Sequence, residues 1–89
     1  MIERELLIAN KLGLHARATA KLVQALSPFK CSATLTAKGR EVNAKSIMGV
    51  MLLAAGQGTS VVFRADGEDE QAAADAIAGL FERRFDEDG

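Results

Sequence analysis

The chain of 89 residues contains one histidine and one cysteine, so few side chains are available for chemistry. The histidine, His15, follows Gly13-Leu14, and Arg17 lies two residues further on. Neutral imidazole is nucleophilic and titrates near neutral pH, so it can accept a phosphoryl group and release it again. Arginine binds anions through a planar fork of N–H donors. His15 and Arg17 together therefore form a candidate phosphohistidine site.

The residues after His15 predict a helix whose first turn lies beside the imidazole. From Ala16 to Leu26, apolar positions recur at the three- and four-residue steps of one helical face. They are Thr19, Leu22, Val23 and Leu26. A helix start carries free amide N–H groups and partial positive charge, so the amides of Ala16 and Arg17 can cradle a phosphoryl group. Spacing alone favours a plainer alternative, in which His15 caps the helix and Arg17 is a solvated surface charge.

Alternating apolar and polar residues predict four strands in the chain. The first begins at Ile2 and the second at Cys31, and the others span Arg40 to Asn43 and Ser60 to Ala65. Lys38-Gly39 forms the turn between the second and third strands, which makes them a hairpin. Cys31 fits this pattern as a small buried residue, because no second cysteine or basic cluster activates it.

Two further helices complete the predicted fold. Ser46 can cap a short helix from Ile47 to about Leu53, and the acids Glu68-Asp69-Glu70 suit the start of a last helix. The apolar stripe of that last helix consists of Ala73, Ala76, Ile77, Leu80 and Phe81. The acidic tail over 86–89 is expected to fray. The element order predicts an α/β (α+β) fold, an open-faced β-sandwich with three helices on one face of a four-stranded antiparallel sheet.

The composition limits the class of protein. Eleven Lys and Arg against twelve Asp and Glu give a net charge of −1, so general attraction to nucleic acid or anionic lipid is not favoured. One cysteine cannot form an internal disulfide, and one histidine with one cysteine cannot complete a zinc site. No apolar run approaches the ~20 residues of a membrane span. We therefore expect a single cytoplasmic domain over residues 1–89, monomeric and without metal or other cofactor.

The short helix after Ser46 carries more apolar side chains than one buried face requires. Ile47, Met48 and Met51 are the side chains in question, and methionine adapts well to different partner surfaces. Periodicity supports a core role and an exposed docking role for them equally.

Two segments of the chain resemble one known family. The run from Asn10 to Val23, NKLGLHARATAKLV, is similar to the active-site segment of the HPr family, the phosphocarriers of the bacterial phosphoenolpyruvate-dependent phosphotransferase system. The run from Ala44 to Thr59 resembles the regulatory-serine region of the same family. One departure is Ala18, where the family usually has proline. The resemblance extends over essentially the whole chain, and it outweighs the plainer alternative for His15.

This resemblance implies a phosphoryl relay. His15 would accept the group at Nδ1 from phospho-enzyme I and pass it to a IIA protein or domain, while Arg17 offsets its charge. The protein would then be a carrier and not an enzyme. The relay would serve sugar uptake, a nitrogen-type regulatory branch, or both.

The resemblance also implies regulation and a docking surface. Ser46 would be phosphorylated by HPr kinase/phosphorylase, and the contact face for enzyme I and IIA would comprise Ala20, Ile47, Met48 and Met51. An alternative from another class is a small α/β ligand-binding or regulatory module without phosphoryl transfer. Phosphorylation by enzyme I and phosphoenolpyruvate discriminates the two.

Overall fold

Four strands and three α-helices follow one another in the order that the sequence predicts. The structure is a computed structural model and describes residues 1–87. The strands are β1 (Ile2–Leu7), β2 (Ser32–Ala37), β3 (Arg40–Asn43) and β4 (Ser60–Asp66). The helices are α1 (Ala16–Leu26), α2 (Ile47–Leu52) and α3 (Glu70–Glu82), followed by a 3-10 turn at Arg84–Asp86. The predicted bounds of α1 and β3 are confirmed, and the other elements differ slightly at their ends.

The strands form one antiparallel sheet in the order β1-β4-β2-β3. Leu35 on β2 lies opposite Phe63 on β4 and Val42 on β3. Leu35 and Phe63 are fully buried on the face that the helices cover. On the opposite face, the guanidinium of Arg64 donates to the Glu3 carboxylate at 2.6 Å. One face is therefore covered and the other solvated, which confirms the predicted open-faced architecture.

The buried faces of α1 and α3 differ from the predicted ones at one position each. In α1, Ala18 is fully buried and Val23 only half-buried, because the buried row advances in four-residue steps from Ala18 through Leu22. In α3, Ala74 is buried where Ala76 was expected. Small side chains allow a helix to pack closely against its neighbours, so alanine fits the buried positions 18 and 74.

The loop between β1 and α1 is held by a close approach to the segment after α2. Gly13 has a φ of 67°, and a Cβ built there would lie 2.6 Å from the Ala55 carbonyl oxygen. The N–H of Leu14 donates to the same oxygen at 2.9 Å, and Asn10 Nδ2 donates to the Gly13 carbonyl at 2.8 Å. Glycine is needed at position 13 both for the left-handed backbone and for space. This loop therefore determines where α1 begins.

Asp69 links the start of α3 to the connection between α1 and β2. Its carboxylate accepts hydrogen bonds from the backbone N–H groups of Lys30 at 2.7 Å and Cys31 at 2.9 Å. These bonds, that from Lys30 foremost, hold the pKa of the Asp69 carboxyl below its ordinary value. The ionised form of Asp69 therefore stabilises the folded state.

Replacing Gly13 with alanine should destabilise the protein more than the same change at Gly39. Both glycines have positive φ, 67° and 77°, but a Cβ at Gly39 meets no atom within 4 Å. The left-handed backbone alone costs an alanine roughly 1–2 kcal/mol, and only Gly13→Ala adds the clash with Ala55. Urea unfolding of both variants measures the difference. Equal losses of unfolding free energy would contradict the close approach as a constraint.

Replacing Asp69 with asparagine should remove part of the protein's acid sensitivity. Because the folded-state pKa is lowered, the carboxylate stabilises the fold above the unfolded-state pKa, about 3.9 for an ordinary Asp, and this contribution is lost as the pH falls through the folded-state value. The thermal midpoint of Asp69→Asn should lie below that of wild type at neutral pH, and the gap should narrow in acid. Glu68→Gln, a change at an exposed neighbour, serves as the control. A gap that stays constant in acid would exclude this role.

Candidate functional site

His15 occupies the N-cap position of α1. Its backbone is extended, with φ −76° and ψ 179°, and its carbonyl accepts the N–H of Thr19 at 2.9 Å. Its side chain makes no capping bond and is 28% exposed. Beneath it, Thr19 Oγ1 donates to the Leu14 carbonyl at 3.2 Å in a buried link. The backbone of His15 therefore occupies the N-cap position, whereas its imidazole makes no bond to the helix.

The first turn of α1 borders a groove that contains several charged groups. The amides of Ala16 and Arg17 precede the first intrahelical bond, so the helix provides them with no partner. His15 lines the groove together with the apolar Leu12 and five charged side chains: Lys11, Arg17, Lys21, Asp86 and Glu87. The structure thus brings His15 and Arg17 to the same groove, as a shared anion site requires.

A carboxylate from the far end of the chain lies against His15. Glu87 Oε2 is 2.5 Å from His15 Nε2, and Glu87 Oε1 accepts a hydrogen bond from Asn10 Nδ2 at 2.9 Å. The Glu87 side chain is 15% exposed, and Asn10 is fully buried. Hydrogen bonding, from Asn10 above all and then from His15, holds the pKa of the Glu87 carboxyl below its ordinary value. Glu87 is therefore ionised at neutral pH.

The expectation of a frayed acidic tail is wrong for Asp86 and Glu87, and the last two positions of that tail lie outside the described residues. Phe85 is fully buried, and its ring centroid is 4.9 Å from that of Phe81. Lys21 Nζ donates to the Phe85 carbonyl at 2.7 Å. Burial of an aromatic side chain offsets the entropy of ordering the tail. The sequence feature that indicates an ordered tail is Phe85, an aromatic residue between charged ones.

The backbone that leads to Glu87 is strained. Arg84, Phe85 and Asp86 have φ values of 54°, 56° and 61°. A residue with a Cβ in this left-handed region costs roughly 1–2 kcal/mol. Fully burying a phenylalanine stabilises a fold by about 1.5–3 kcal/mol, so burial of Phe85 offsets part of the cost of the three residues together. The turn reverses the chain after α3 and returns Glu87 to His15.

The helix α2 presents most of its apolar side chains to solvent. Ser46 caps it by accepting the N–H of Gly49 at 3.1 Å, as predicted. Val50 is fully buried, whereas Met48 is 79% exposed. The other exposed apolar side chains of this helix are Ile47, Met51 and Leu52. Of the two roles that periodicity left open, the core role is therefore wrong for Ile47, Met48 and Met51. Ala20 is half-buried on α1, which packs against α2.

The only cysteine does not provide a second nucleophile. Cys31 is buried, as predicted, immediately before β2. Burial first, and the neighbouring Asp69 carboxylate second, raises the pKa of its thiol. The thiol therefore stays protonated at neutral pH, and Cys31 does not line the groove that contains His15.

Comparison with known proteins decides the family. The family model described as "PTS HPr component phosphorylation site" matches residues 2–83. The chain belongs to the HPr family. It is 67% identical to the phosphocarrier protein HPr of Xylella fastidiosa strain 9a5c over 88 residues, 99% of each chain. It is also 40% identical to the phosphocarrier protein NPr of Shewanella violacea, covering 97% of this chain and 94% of that one.

The fold of a solved family member agrees closely with this structure. The crystal structure of HPr-C-His from Thermoanaerobacter tengcongensis superposes with a TM-score of 0.96 at 43% identity and covers 100% of both chains. The chain is thus a phosphocarrier component of the phosphotransferase system and not an enzyme in its own right. Within residues 1–87, no helix combines the length and the apolar character that a bilayer crossing requires.

Proposed function

We propose that His15 carries the phosphoryl group, on Nδ1, between phospho-enzyme I and a IIA protein or domain. The observation that supports this most strongly is the arrangement around the imidazole. His15 stands at the start of α1 beside the amides of Ala16 and Arg17, and Glu87 engages Nε2. Nδ1 is then the ring nitrogen left for the phosphoryl group. The chain has no second histidine that could replace it.

Transfer proceeds in line between two imidazole nitrogens. His15 Nδ1 attacks the phosphorus of the donor phosphohistidine, the new N–P bond forms as the donor N–P bond breaks, and the donor imidazole leaves with its electron pair. Amides at the helix start and the Arg17 guanidinium bind the phosphoryl oxygens while the charge is redistributed. Transfer to IIA is the same step in reverse with a different imidazole.

The exposed apolar face is the docking surface for both partners. Ile47, Met48 and Met51 are 46%, 79% and 43% exposed, and Ala20 is half-buried on the adjacent α1. Exposed apolar side chains grouped on one face are typical of protein contact sites. A carrier that exchanges partners needs a surface that adapts to each of them, which methionine provides.

Ser46 is the regulatory phosphorylation site for HPr kinase/phosphorylase. Its hydroxyl caps α2 directly before Ile47 and Met48, so a phosphate on it would add almost two negative charges beside the docking surface. Phosphorylation would then weaken docking by charge and leave the fold intact.

The carrier works in the cytoplasm as a single domain. It works as a monomer, because its docking face must be open to successive partners. The branch it serves is sugar uptake, nitrogen-type regulation or both, because relatives named HPr and NPr both match the chain.

Labelling with enzyme I and phosphoenolpyruvate tests the two central residues. His15→Ala should remain folded and take up no phosphoryl group, because no other imidazole is present. Arg17→Ala should be labelled on His15 but ~10²–10³-fold more slowly, the usual cost of losing one charge-stabilising donor. Intact mass and the rate of labelling measure both.

Arg4→Ala, a change at an exposed arginine on β1, is the control for loss of a positive charge. Normal labelling of His15→Ala would overturn the assignment. No labelling of the wild type by several enzyme I proteins would favour the small ligand-binding or regulatory module instead.

Ser46→Asp should slow phosphorylation of His15 by weakening docking, without loss of stability. A carboxylate at the start of α2 stabilises it by ~0.3–1 kcal/mol, so the thermal midpoint should hold or rise slightly. We expect the enzyme I surface that meets this face to be partly acidic, and like charge at an interface rim lowers association in a salt-dependent manner. The apparent KM for enzyme I should therefore rise at low ionic strength and approach the wild-type value in high salt.

Ser46→Asn is the matched control, because asparagine caps a helix as well as aspartate does and adds no charge. If Ser46→Asn raises KM as much as Ser46→Asp, Ser46 acts only as a helix cap.

A further inference from the structure

We propose that Glu87 is a positioning residue for phosphoryl transfer, which fixes the tautomer and orientation of the His15 ring. This inference rests on the proposed function of His15. The juxtaposition that carries it joins three parts of the chain that are distant in sequence: Asn10 in the loop before α1, His15 at the helix start, and Glu87 after the last turn.

The contact determines which ring nitrogen carries the proton. Neutral imidazole has one N–H and one lone pair, and a carboxylate only accepts hydrogen bonds. With Glu87 Oε2 at 2.5 Å from Nε2, the proton resides on Nε2 and the lone pair on Nδ1. The nucleophilic nitrogen is thereby presented on the side of the ring away from Glu87.

The carboxylate also balances charge during the transfer. When Nδ1 bonds to phosphorus, the ring becomes cationic and the N–H at Nε2 becomes a stronger donor. Glu87 stabilises that cation without taking the proton, and the N–P bond forms and breaks at the other nitrogen. A carboxylate orients and stabilises a catalytic imidazole in serine proteases by the same principle.

The carboxylate is itself held in place by fixed partners. Asn10 is fully buried and donates from Nδ2 both to the Gly13 carbonyl at 2.8 Å and to Glu87 Oε1 at 2.9 Å. Phe85 anchors the backbone two residues before Glu87 in the core. Lys21 is engaged elsewhere, with Nζ 2.7 Å from the Phe85 carbonyl oxygen and 3.9 Å from Asp86 Oδ2.

The geometry favours positioning over obstruction. Glu87 contacts Nε2 and leaves Nδ1 free of this contact, and the amides of Ala16 and Arg17 in the first turn of α1 have no partner within the helix. Holding three successive residues in the left-handed region costs free energy. The contacts of Glu87 with Asn10 and His15 form in the folded chain despite that cost.

Glu87→Gln tests this inference directly. Glutamine keeps the size of the side chain, but its amide offers one oxygen to two donors, so one of the contacts with Asn10 and His15 is lost. We expect the maximal rate of His15 labelling by enzyme I to fall ~10–100-fold, as for other residues that orient a reacting group, with KM for enzyme I unchanged. The ¹⁵N chemical shifts of the His15 ring should move from the Nε2–H tautomer towards a mixture of tautomers.

Glu82→Gln removes an exposed carboxylate from the end of α3 and is the matched control. Glu87→Asp, which retains the charge, should keep more of the rate than Glu87→Gln does. Thermal unfolding shows that each variant is folded before its rate is compared. Labelling of Glu87→Gln at the wild-type rate with unchanged ring shifts would overturn the positioning role, and faster labelling would show that Glu87 obstructs the site instead.

Failure of this inference is distinguishable from failure of the proposed function. If the wild type is labelled on His15 and Glu87→Gln behaves identically, only the role of Glu87 is wrong. If the wild type is not labelled at all, the carrier role of His15 fails whatever the ring shifts report.

Discussion

The close approach of Gly13 to the Ala55 carbonyl is the constraint on which the site depends. A Cβ at position 13 would lie 2.6 Å from that oxygen, and the N–H of Leu14 bonds to it at 2.9 Å. The loop is thereby pinned to the segment after α2, and α1 can begin only at the next residues. His15, which follows directly, is extended and presents its ring outside the helix that supplies the amides. Backbone packing thus fixes where His15 lies along the chain, and the contact with Glu87 at Nε2 acts on its ring.

A second constraint acts from the opposite end of the described chain. Phe85 is buried against Phe81, and the strained turn around it returns Glu87 to the imidazole. The two constraints meet at Asn10, whose amide bonds to the Gly13 carbonyl and to Glu87. The buried Asn10 side chain therefore connects the loop before His15 to the Glu87 carboxylate that contacts the His15 ring. Arg17 lines the same groove as His15 and Glu87.

Much of this arrangement can be predicted from the sequence because its signals are local. The bounds of α1 follow from its apolar steps, and β3 follows from the turn at Lys38-Gly39. Glu87 could not be predicted, since 72 residues separate it from His15 and its neighbours are charged residues typical of a free tail. Burial of Phe85 in the core orders this segment despite its charged neighbours. Periodicity alone does not assign Met48, because it cannot distinguish a core face from a docking face.

We expect the phosphoryl group of the phosphorylated protein to reside on Nδ1 of His15, with Nε2 held by Glu87. Phosphorus–nitrogen coupling in NMR spectra of the ¹⁵N-labelled protein, phosphorylated by enzyme I and phosphoenolpyruvate, tests it most directly. We predict one ³¹P signal coupled to Nδ1 of His15, and a proton retained on Nε2. Coupling to Nε2, or phosphate on another residue, would contradict it.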